Sequence, residues 1–206
     1  MFRKSFDLSV YFICDPSLCG GRDFVEVALA AVRGGATMVQ LRDKSDDVLA
    51  HATRLKAAGL AVPLLINDHV EVARAVDADG VHLGQGDMDV TAAREVLGAD
   101  KIIGLTAFTA AHMAAVDPNV VDYVGTGPFF ETLTDKGKPV LGAAGFAAVA
   151  ALAPVPVVGI GGITADNAWA VLEAGADGVA MMRAVSMADD VEAAVRGFLG
   201  TTDEHR

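Results

Sequence analysis

Residues 157–182, VVGIGGITADNAWAVLEAGADGVAMM, contain the unit that decides the fold. Two short apolar runs, at 157–160 and 178–181, flank an alanine-rich stretch of helical period at 165–174. Continuous apolar strands are buried on both faces, which is typical of a parallel sheet. Glycine after the helical stretch and the Asp-Gly turn before the second run suit a helix-to-strand joint. The segment therefore predicts a strand, a crossover helix and a second, parallel strand.

The same unit recurs along the whole chain. The pattern predicts strands at 8–13, 38–41, 63–66, 80–83, 102–105, 123–125, 157–160 and 178–181. It predicts helices at 24–33, 46–58, 70–76, 90–97, 110–116, 144–152, 165–174 and 188–198. Strands alternating with helices in this way indicate an α/β protein and a (β/α)₈ TIM barrel, for which 206 residues is short. An open doubly wound sheet is the alternative, but no early GxGxxG motif opens a helix.

Domain organisation and composition are simple. No linker or composition break divides the chain, so we expect a single domain over 1–206, frayed at 200–206. The 16 Lys and Arg residues against 27 Asp and Glu give a net charge of −11, which argues against nucleic-acid binding. With no apolar run of about 20 residues and no cleavage signature, we expect no membrane span and a cytoplasmic location.

Cys14 and Cys19 are the chain's two cysteines, and their CDPSLC spacing is not a CxxC redox or zinc motif. We expect two buried thiols, with a local disulfide as the alternative.

Polar residues follow nearly every predicted strand, where a barrel of this type carries its active residues. They lie at 40–44, 67–68, 84–87, 106, 127–142, 161–162 and 182–183. Such clustering on one rim predicts an enzyme. The histidines add little, because no zinc or Ser-His-Asp arrangement is present, and His82 is expected to pack within its strand.

Gln40, Arg42 and Lys44 alternate after the second strand, so their side chains share one face of an extended segment. Their donors suit an anionic substrate, with Arg42 gripping phosphate in a forked geometry. The alternative is a solvated loop whose charges pair with one another.

Asn67, Asp68 and Asp87 follow two neighbouring strands. Two carboxylates facing a diphosphate suit Mg²⁺, which takes one or two protein ligands and keeps several waters. The alternative is that Asp68 and Asp87 cap the helices that follow them.

Two further loops suit phosphate. The longest, 125–139, offers Thr132, Thr134, Lys136 and Lys138, unless it is merely a flexible connection. Gly161 and Gly162 leave the seventh strand, and Met182 and Arg183 leave the eighth, at the usual phosphate site of such barrels.

The motifs QLRDK, IND, GVHLGQGD, DYVGTGPFFETLTDK, GIGGIT and ADGVAMM, in this order and spacing, resemble the thiamine-phosphate synthase family. The resemblance covers about 11–185. It implies a (β/α)₈ barrel that joins hydroxymethylpyrimidine diphosphate to a thiazole phosphate, in a reaction that requires Mg²⁺. Its partners would be these small phosphorylated molecules, while self-association is left open.

Site roles follow from the resemblance. The residues expected to bind the pyrimidine diphosphate are Gln40, Arg42, Lys44 and Asn67. Asp68 and Asp87 are expected to bind Mg²⁺. The residues expected to bind the thiazole phosphate are Thr132, Thr134, Gly162, Met182 and Arg183. Lys136 would neutralise the departing pyrophosphate, and Arg42, Lys44 and Lys136 are expected to act in catalysis. Thr106 is counted among the substrate-binding residues. The implied reaction is dissociative and needs charge stabilisation more than a general base.

The chain departs from the family pattern at three places. Asp135 is inserted before Lys136, so Lys136 or Lys138 is expected to reach the pyrophosphate; Phe108 replaces a histidine; and Arg183 replaces a common serine. The thiazole tautomerase paralogue is an alternative, although Pro128 stands where that group carries its histidine. A non-catalytic paralogue that binds thiazole phosphate or thiamine phosphate is another.

Overall fold

The computed structural model describes residues 5–134 and 139–203. Parallel strands close into a barrel in which β1 to β8 follow one another in chain order and β8 pairs with β1. The strands are β1 Val10–Cys14, β2 Met38–Leu41, β3 Leu64–Asn67, β4 Gly80–Leu83, β5 Ile102–Thr106, β6 Tyr123–Thr126, β7 Val157–Ile160 and β8 Gly178–Met181. The predicted (β/α)₈ barrel is confirmed, and the open-sheet alternative is wrong because the sheet closes.

Helices follow the strands and surround the barrel. They are α1 Phe24–Arg33, α2 Val48–Ala57, α3 Val70–Ala75, α4 Val90–Leu97, α5 Ala110–Ala114, α6 Gly142–Ala150, α7 Ala168–Glu173, α8 Arg183–Ser186 and α9 Val191–Asp203. The short α8 was not predicted. α9 reaches into the tail that was expected to be frayed, and 204–206 lie outside the described residues. None of the helices in the described ranges is long and apolar enough to cross a membrane.

Alternate residues of each strand enter two separate apolar layers. Outward-facing residues such as Val10 and Phe12 pack under the helices. Inward-facing residues fill the bore of the barrel: Leu8, Tyr11, Ile13, Met38, Leu65, Ile102, Tyr123, Val158 and Ala180. Cys14 and Cys19 lie in the outer layer as buried free thiols, in agreement with the prediction. Because side chains alternate in direction along a strand, only every second residue can reach a site at the end of the bore.

A glycine makes room for an aromatic ring in the bore. Gly104 on β5 lies beside Tyr123 on β6, and a Cβ at Gly104 would stand 2.2 Å from Cζ of the Tyr123 ring. No side chain fits at that distance. Gly104 therefore allows the Tyr123 ring to cross the interior and present its hydroxyl to the residues opposite.

Candidate active site

A cavity of about 700 Å³ opens at the carboxyl ends of the strands. Every predicted site residue in the described ranges lines it, except Asp87: Gln40, Arg42, Lys44, Asn67, Asp68, Thr106, Thr132, Thr134, Gly162, Met182 and Arg183. The predictions for Lys136 and Lys138 fall outside the described residues. The fold therefore brings residues from six strand ends to one volume, as the rim pattern suggested.

The segment after β2 keeps the alternation seen in the sequence. Gln40, Arg42 and Lys44 line the cavity, while the intervening Leu41 and Asp43 are buried behind them. Lys44 forms an ion pair with Asp68, which follows β3. Arg42 forms an ion pair with Asp15, which follows β1. Both cations therefore find partners on neighbouring strand ends, and the alternative of a loop paired with itself is wrong for them.

Asp43 anchors this segment from behind. Its carboxylate accepts hydrogen bonds from the amide and hydroxyl of Ser45, at 2.9 and 2.8 Å, and contacts Nδ1 of His51 at 2.6 Å. Burial alone would raise the pKa of Asp43, but these hydrogen bonds outweigh it and hold the pKa below its usual value. His51 is half-buried, and its ring packs on Phe24.

Asp68 and Asp87 do not cap helices. Asp68 has a φ of 63°, in the left-handed region, and α3 begins after His69 without a side-chain cap. Asp87 accepts the amide of Gly84 at 2.6 Å. The cap of α4 is Asp89, which accepts the amides of Thr91 and Ala92. The capping alternative is therefore wrong for both carboxylates.

The two carboxylates fit a divalent cation. Partial burial and the neighbouring Asp68 carboxylate raise the pKa of Asp87, while the Gly84 amide and Lys44 oppose the shift. A cation bound between the two carboxylates would offset the repulsion between their negative charges. In the described part of the chain no cluster of three His, Cys, Asp or Glu side chains forms. Mg²⁺ needs only one or two protein ligands, so the donor set is sufficient for it.

The loop after β7 supplies backbone donors. Gly161 and Gly162 have φ values of 104° and 65°, and the amide of Gly162 donates to no acceptor within the described ranges. Arg183 lines the same cavity at the start of α8 and forms no ion pair with any described residue. An uncommitted amide and an unpaired guanidinium together can bind an anion such as phosphate.

Described residues of the loop after β6 also line the cavity. Thr132 and Thr134 line it, and the amide of Thr134 donates to the hydroxyl of Thr132 at 3.2 Å. Pro128, which stands where the tautomerase paralogues carry their histidine, also lines the cavity. Because Asp135, Lys136 and Lys138 lie outside the described residues, the choice between the two lysines stays a prediction.

A chain of hydrogen bonds crosses the floor of the cavity. Gln40 Nε2 donates to the Tyr11 hydroxyl at 2.7 Å, and the hydroxyls of Tyr11 and Tyr123 are 2.9 Å apart. His82 Nδ1 lies 2.9 Å from the Tyr123 hydroxyl, and its Nε2 lies 3.0 Å from Oγ1 of Thr106. Gln40, Tyr11, Tyr123, His82 and Thr106 come from five different strands. We call Tyr11, Tyr123 and His82 the hydroxyl–imidazole relay.

Sequence reasoning missed this relay. Neither tyrosine was singled out, and His82, expected only to pack, lines the cavity. Burial lowers the pKa of His82 to about 4, against the opposing effect of Asp87, and raises the pKa of Tyr11 and Tyr123 well above their usual value. The one signal in the sequence was the alternation of inward- and outward-facing residues along each strand, which places His82 and Tyr11 at inward-facing positions.

Comparison with known proteins identifies close relatives. A family model described as thiamine monophosphate synthase matches residues 10–185. A thiamine-phosphate synthase from Laribacter hongkongensis is 47% identical over 202 residues, covering 94% of this chain and 95% of the relative. Another from Xanthobacter autotrophicus is 48% identical over 202 residues and covers 95% of both chains.

Solved structures agree with the sequence relatives. Thiamine phosphate pyrophosphorylase from Pyrococcus furiosus superimposes with a TM-score of 0.85 at 33% identity, covering 96% of each chain. A 3-hexulose-6-phosphate synthase superimposes with a TM-score of 0.70 at 19% identity over 93% of this chain and 99% of the other, a likeness of fold alone. With a family model that spans most of its length and relatives that share nearly half of its residues, this chain belongs to the thiamine monophosphate synthase family.

Proposed function

We propose that this protein is a thiamine-phosphate synthase, a transferase that joins hydroxymethylpyrimidine diphosphate to a thiazole phosphate and releases pyrophosphate. The observation that carries the proposal is that one cavity has polar donor groups on two separate parts of its rim. Arg42 and Lys44 follow β2, close to the carboxylates that follow β3 and β4, whereas Gly162 and Arg183 follow β7 and β8. Two phosphorylated substrates require such an arrangement, because their reacting atoms must meet between the two parts.

The diphosphate end contains fixed positive charge. Arg42 and Lys44 project from an anchored segment, so their charges are positioned before substrate arrives. Asn67, at the end of β3, adds a buried amide to the same wall. Asp68 and Asp87 would hold Mg²⁺, which when bound supplies positive charge to the departing pyrophosphate. Lys136, with Lys138 as the other candidate, is proposed to neutralise the same group.

The thiazole end binds a single phosphate. The Gly162 amide and the Arg183 guanidinium would donate to its oxygens, with the hydroxyls of Thr132 and Thr134 and the backbone around Met182 completing the site. Fixing the phosphate here orients the thiazole nitrogen toward the pyrimidine.

The proposed reaction is a substitution at the pyrimidine methylene carbon. The carbon–oxygen bond to the diphosphate breaks first, and its electron pair leaves with pyrophosphate. The thiazole nitrogen then forms the new bond with its lone pair. No proton moves in either step, so the site needs positioning and charge rather than a general base.

The two alternatives make different predictions. A thiazole tautomerase would isomerise a thiazole carboxylate, yet Pro128 occupies the position of its histidine and carries no ionisable group. A non-catalytic paralogue would bind thiazole phosphate without turnover. Neither alternative accounts for the cations and paired carboxylates at the diphosphate end.

The decisive experiment incubates the purified protein with both precursors, with and without Mg²⁺, and measures thiamine phosphate and pyrophosphate. We expect equal amounts of the two products and dependence on Mg²⁺. Binding of thiazole phosphate by calorimetry without any product would support the non-catalytic alternative. Isomerisation of the thiazole carboxylate in place of condensation would support the tautomerase.

A further inference from the structure

The hydroxyl–imidazole relay has a direction that follows from counting hydrogens. A tyrosine hydroxyl carries one hydrogen. Because Tyr11 accepts from Gln40 Nε2, its own hydrogen goes to Tyr123, the other hydroxyl within reach. The hydrogen of Tyr123 in turn goes to Nδ1 of His82. Nδ1 is therefore an acceptor, and the ring proton is on Nε2.

The same counting of hydrogens shows which group is a donor and which an acceptor at the two ends of the hydrogen-bond chain. His82 Nε2 donates to Oγ1 of Thr106, which leaves the hydrogen of Thr106 available to the cavity. At the opposite end, Gln40 uses Nε2 on Tyr11, and its Oε1 has no hydrogen-bond partner among the described residues. Gln40 also lines the cavity. The cavity thus presents an acceptor from β2 and a donor from β5.

We propose that Tyr11, Tyr123 and His82 are positioning residues that set the hydrogen-bonding polarity of Gln40 and Thr106, so that the cavity selects a ring with an amino group facing Gln40 and an acceptor nitrogen facing Thr106. This inference rests on the proposed function and deepens it. In an aminopyrimidine that carries its methylene next to the amino carbon, one ring nitrogen lies directly across the ring from the amino group. The Oε1 acceptor of Gln40 matches the amino group, and the hydroxyl donor of Thr106 matches the ring nitrogen.

The burial of the relay argues against a purely structural role. Tyr11 and Tyr123 are almost inaccessible, so each hydroxyl must be satisfied inside an otherwise apolar bore. Phenylalanine would fill the same space without that requirement. Gly104 makes room for the Tyr123 ring, and a Cβ at Gly125 would stand 3.0 Å from Cε1 of His82. The bore is shaped around polar groups whose free ends both open into the cavity.

The polarity also bears on the reaction. As the diphosphate leaves with the electron pair of its carbon–oxygen bond, positive charge spreads from the methylene carbon onto the ring amino group. An acceptor at Gln40 Oε1 interacts more strongly with that group in the transition state than in the ground state. Loss of the relay should therefore lower kcat more than it raises the KM of the pyrimidine substrate.

The first test observes the relay directly in the whole protein without substrate. Nitrogen NMR of protein labelled with ¹⁵N-histidine, with His82 assigned from a His82→Gln spectrum, should show a neutral ring protonated at Nε2. In Tyr123→Phe, Nδ1 loses its hydrogen-bond donor while Nε2 still donates to Thr106, so the ring should stay protonated at Nε2 and the ¹⁵N resonance of Nδ1 should move downfield. A wild-type ring protonated at Nδ1 would overturn the proposal, because the polarity would run the other way.

The second test measures selection. Wild-type protein should use the aminopyrimidine diphosphate at least about tenfold better, in kcat/KM, than the analogue with a ring oxo group in place of the amine. Tyr123→Phe and Tyr11→Phe should each lower kcat about tenfold and reduce that preference. Met38→Leu, beside Tyr11 in the bore, changes packing but no hydrogen bond and serves as the control.

The outcomes are distinguishable. Folded tyrosine variants with unchanged kcat and unchanged preference would overturn the relay, as would the same loss of preference in Met38→Leu. If a tyrosine variant fails to fold, the other variant and the wild-type NMR spectrum still decide. A wild-type protein that makes no thiamine phosphate but shows the Nε2 form would refute the proposed function and the selection, and leave the direction of the relay intact.

Discussion

Nη1 of Arg42, after β2, donates to Oδ2 of Asp15, after β1, at a distance of 2.8 Å. Asp15 is buried, and its other oxygen accepts the amide and hydroxyl of Ser17, at 3.0 and 2.6 Å. The carboxylate therefore fixes one nitrogen of the Arg42 guanidinium, and Arg42 lines the cavity. A phosphate meets an arginine whose orientation is already set, which reduces the entropy cost of binding.

The first prediction concerns this ion pair. Asp15→Asn keeps the Ser17 contacts but removes the charge that orients Arg42. We expect the KM for the pyrimidine diphosphate to rise about tenfold, with a smaller change in kcat, since Arg42 is disordered but still present. Steady-state kinetics with thiazole phosphate saturating measures this. Ser17→Ala is the control, and an equal rise in KM there would assign the effect to the turn and not to Arg42.

The second prediction separates binding from helix capping with two nearby carboxylates. Asp87→Ala removes a proposed Mg²⁺ ligand, so activity should fall at least about a hundredfold while the melting temperature changes little. Asp89→Ala removes the cap of α4, so it should lower stability by about 1 kcal/mol and leave kcat nearly unchanged. Kinetics across a Mg²⁺ titration, with thermal unfolding of both variants, checks this. The opposite pattern would restore the capping interpretation for Asp87.

The barrel and its rim could be predicted from the sequence because both depend on local patterns. Apolar runs separated by helical stretches predict βα units, and the alternation of Gln40, Arg42 and Lys44 predicts one shared face. The relay depends on something else. Tyr11 and Tyr123 are 112 positions apart, and their hydroxyls meet only because the barrel closes and Gly104 opens space beside the Tyr123 ring.

The acidic residues show the same limit. The sequence does not mark Asp15 and Asp43 as site residues, because a carboxylate close to a cation in the sequence is typical of ordinary surface charge. Their importance comes from burial, which only the packed structure reveals. The capping alternative is wrong for Asp87 because its carboxylate turns back to the Gly84 amide, and Asp89, two residues further along, caps α4 instead.

The third prediction uses two glycines that share a backbone conformation. Gly162 and Gly59 have φ values of 65° and 67°, so alanine is strained by a similar amount at each. A Cβ at Gly162 would lie 2.3 Å from the carbonyl oxygen of Glu131, whereas nothing lies within 4 Å at Gly59. Gly162→Ala should displace the loops after β6 and β7 and weaken thiazole-phosphate binding about tenfold or more.

Calorimetry with thiazole phosphate and unfolding curves for both glycine variants check this prediction. Gly59→Ala should lose about 1 kcal/mol of stability and bind normally. Equal binding by the two variants would show that the close approach at Gly162 is unimportant for the phosphate site.

The last prediction concerns acid stability and Asp43. Its pKa is held below the ordinary value of 3.8 in the folded protein, so the folded state stays ionised where the unfolded chain takes up a proton. The stabilisation is therefore complete above that value and is lost as the pH falls through the lower, folded pKa. Asp43→Asn should be less stable than wild type at pH 7, and the two unfolding free energies should converge as the pH falls below about 4.

Urea unfolding from pH 7 to pH 3 measures the convergence, with Asp46→Asn as the control, because Asp46 is exposed three residues further along the same segment. The control should follow the wild-type curve at every pH. Since Asp43 anchors the segment that carries Arg42 and Lys44, the Asp43→Asn variant should also bind pyrimidine diphosphate more weakly at pH 7. A stability difference that stays constant down to pH 3 would mean that the buried hydrogen bonds of Asp43 do not favour its charged form.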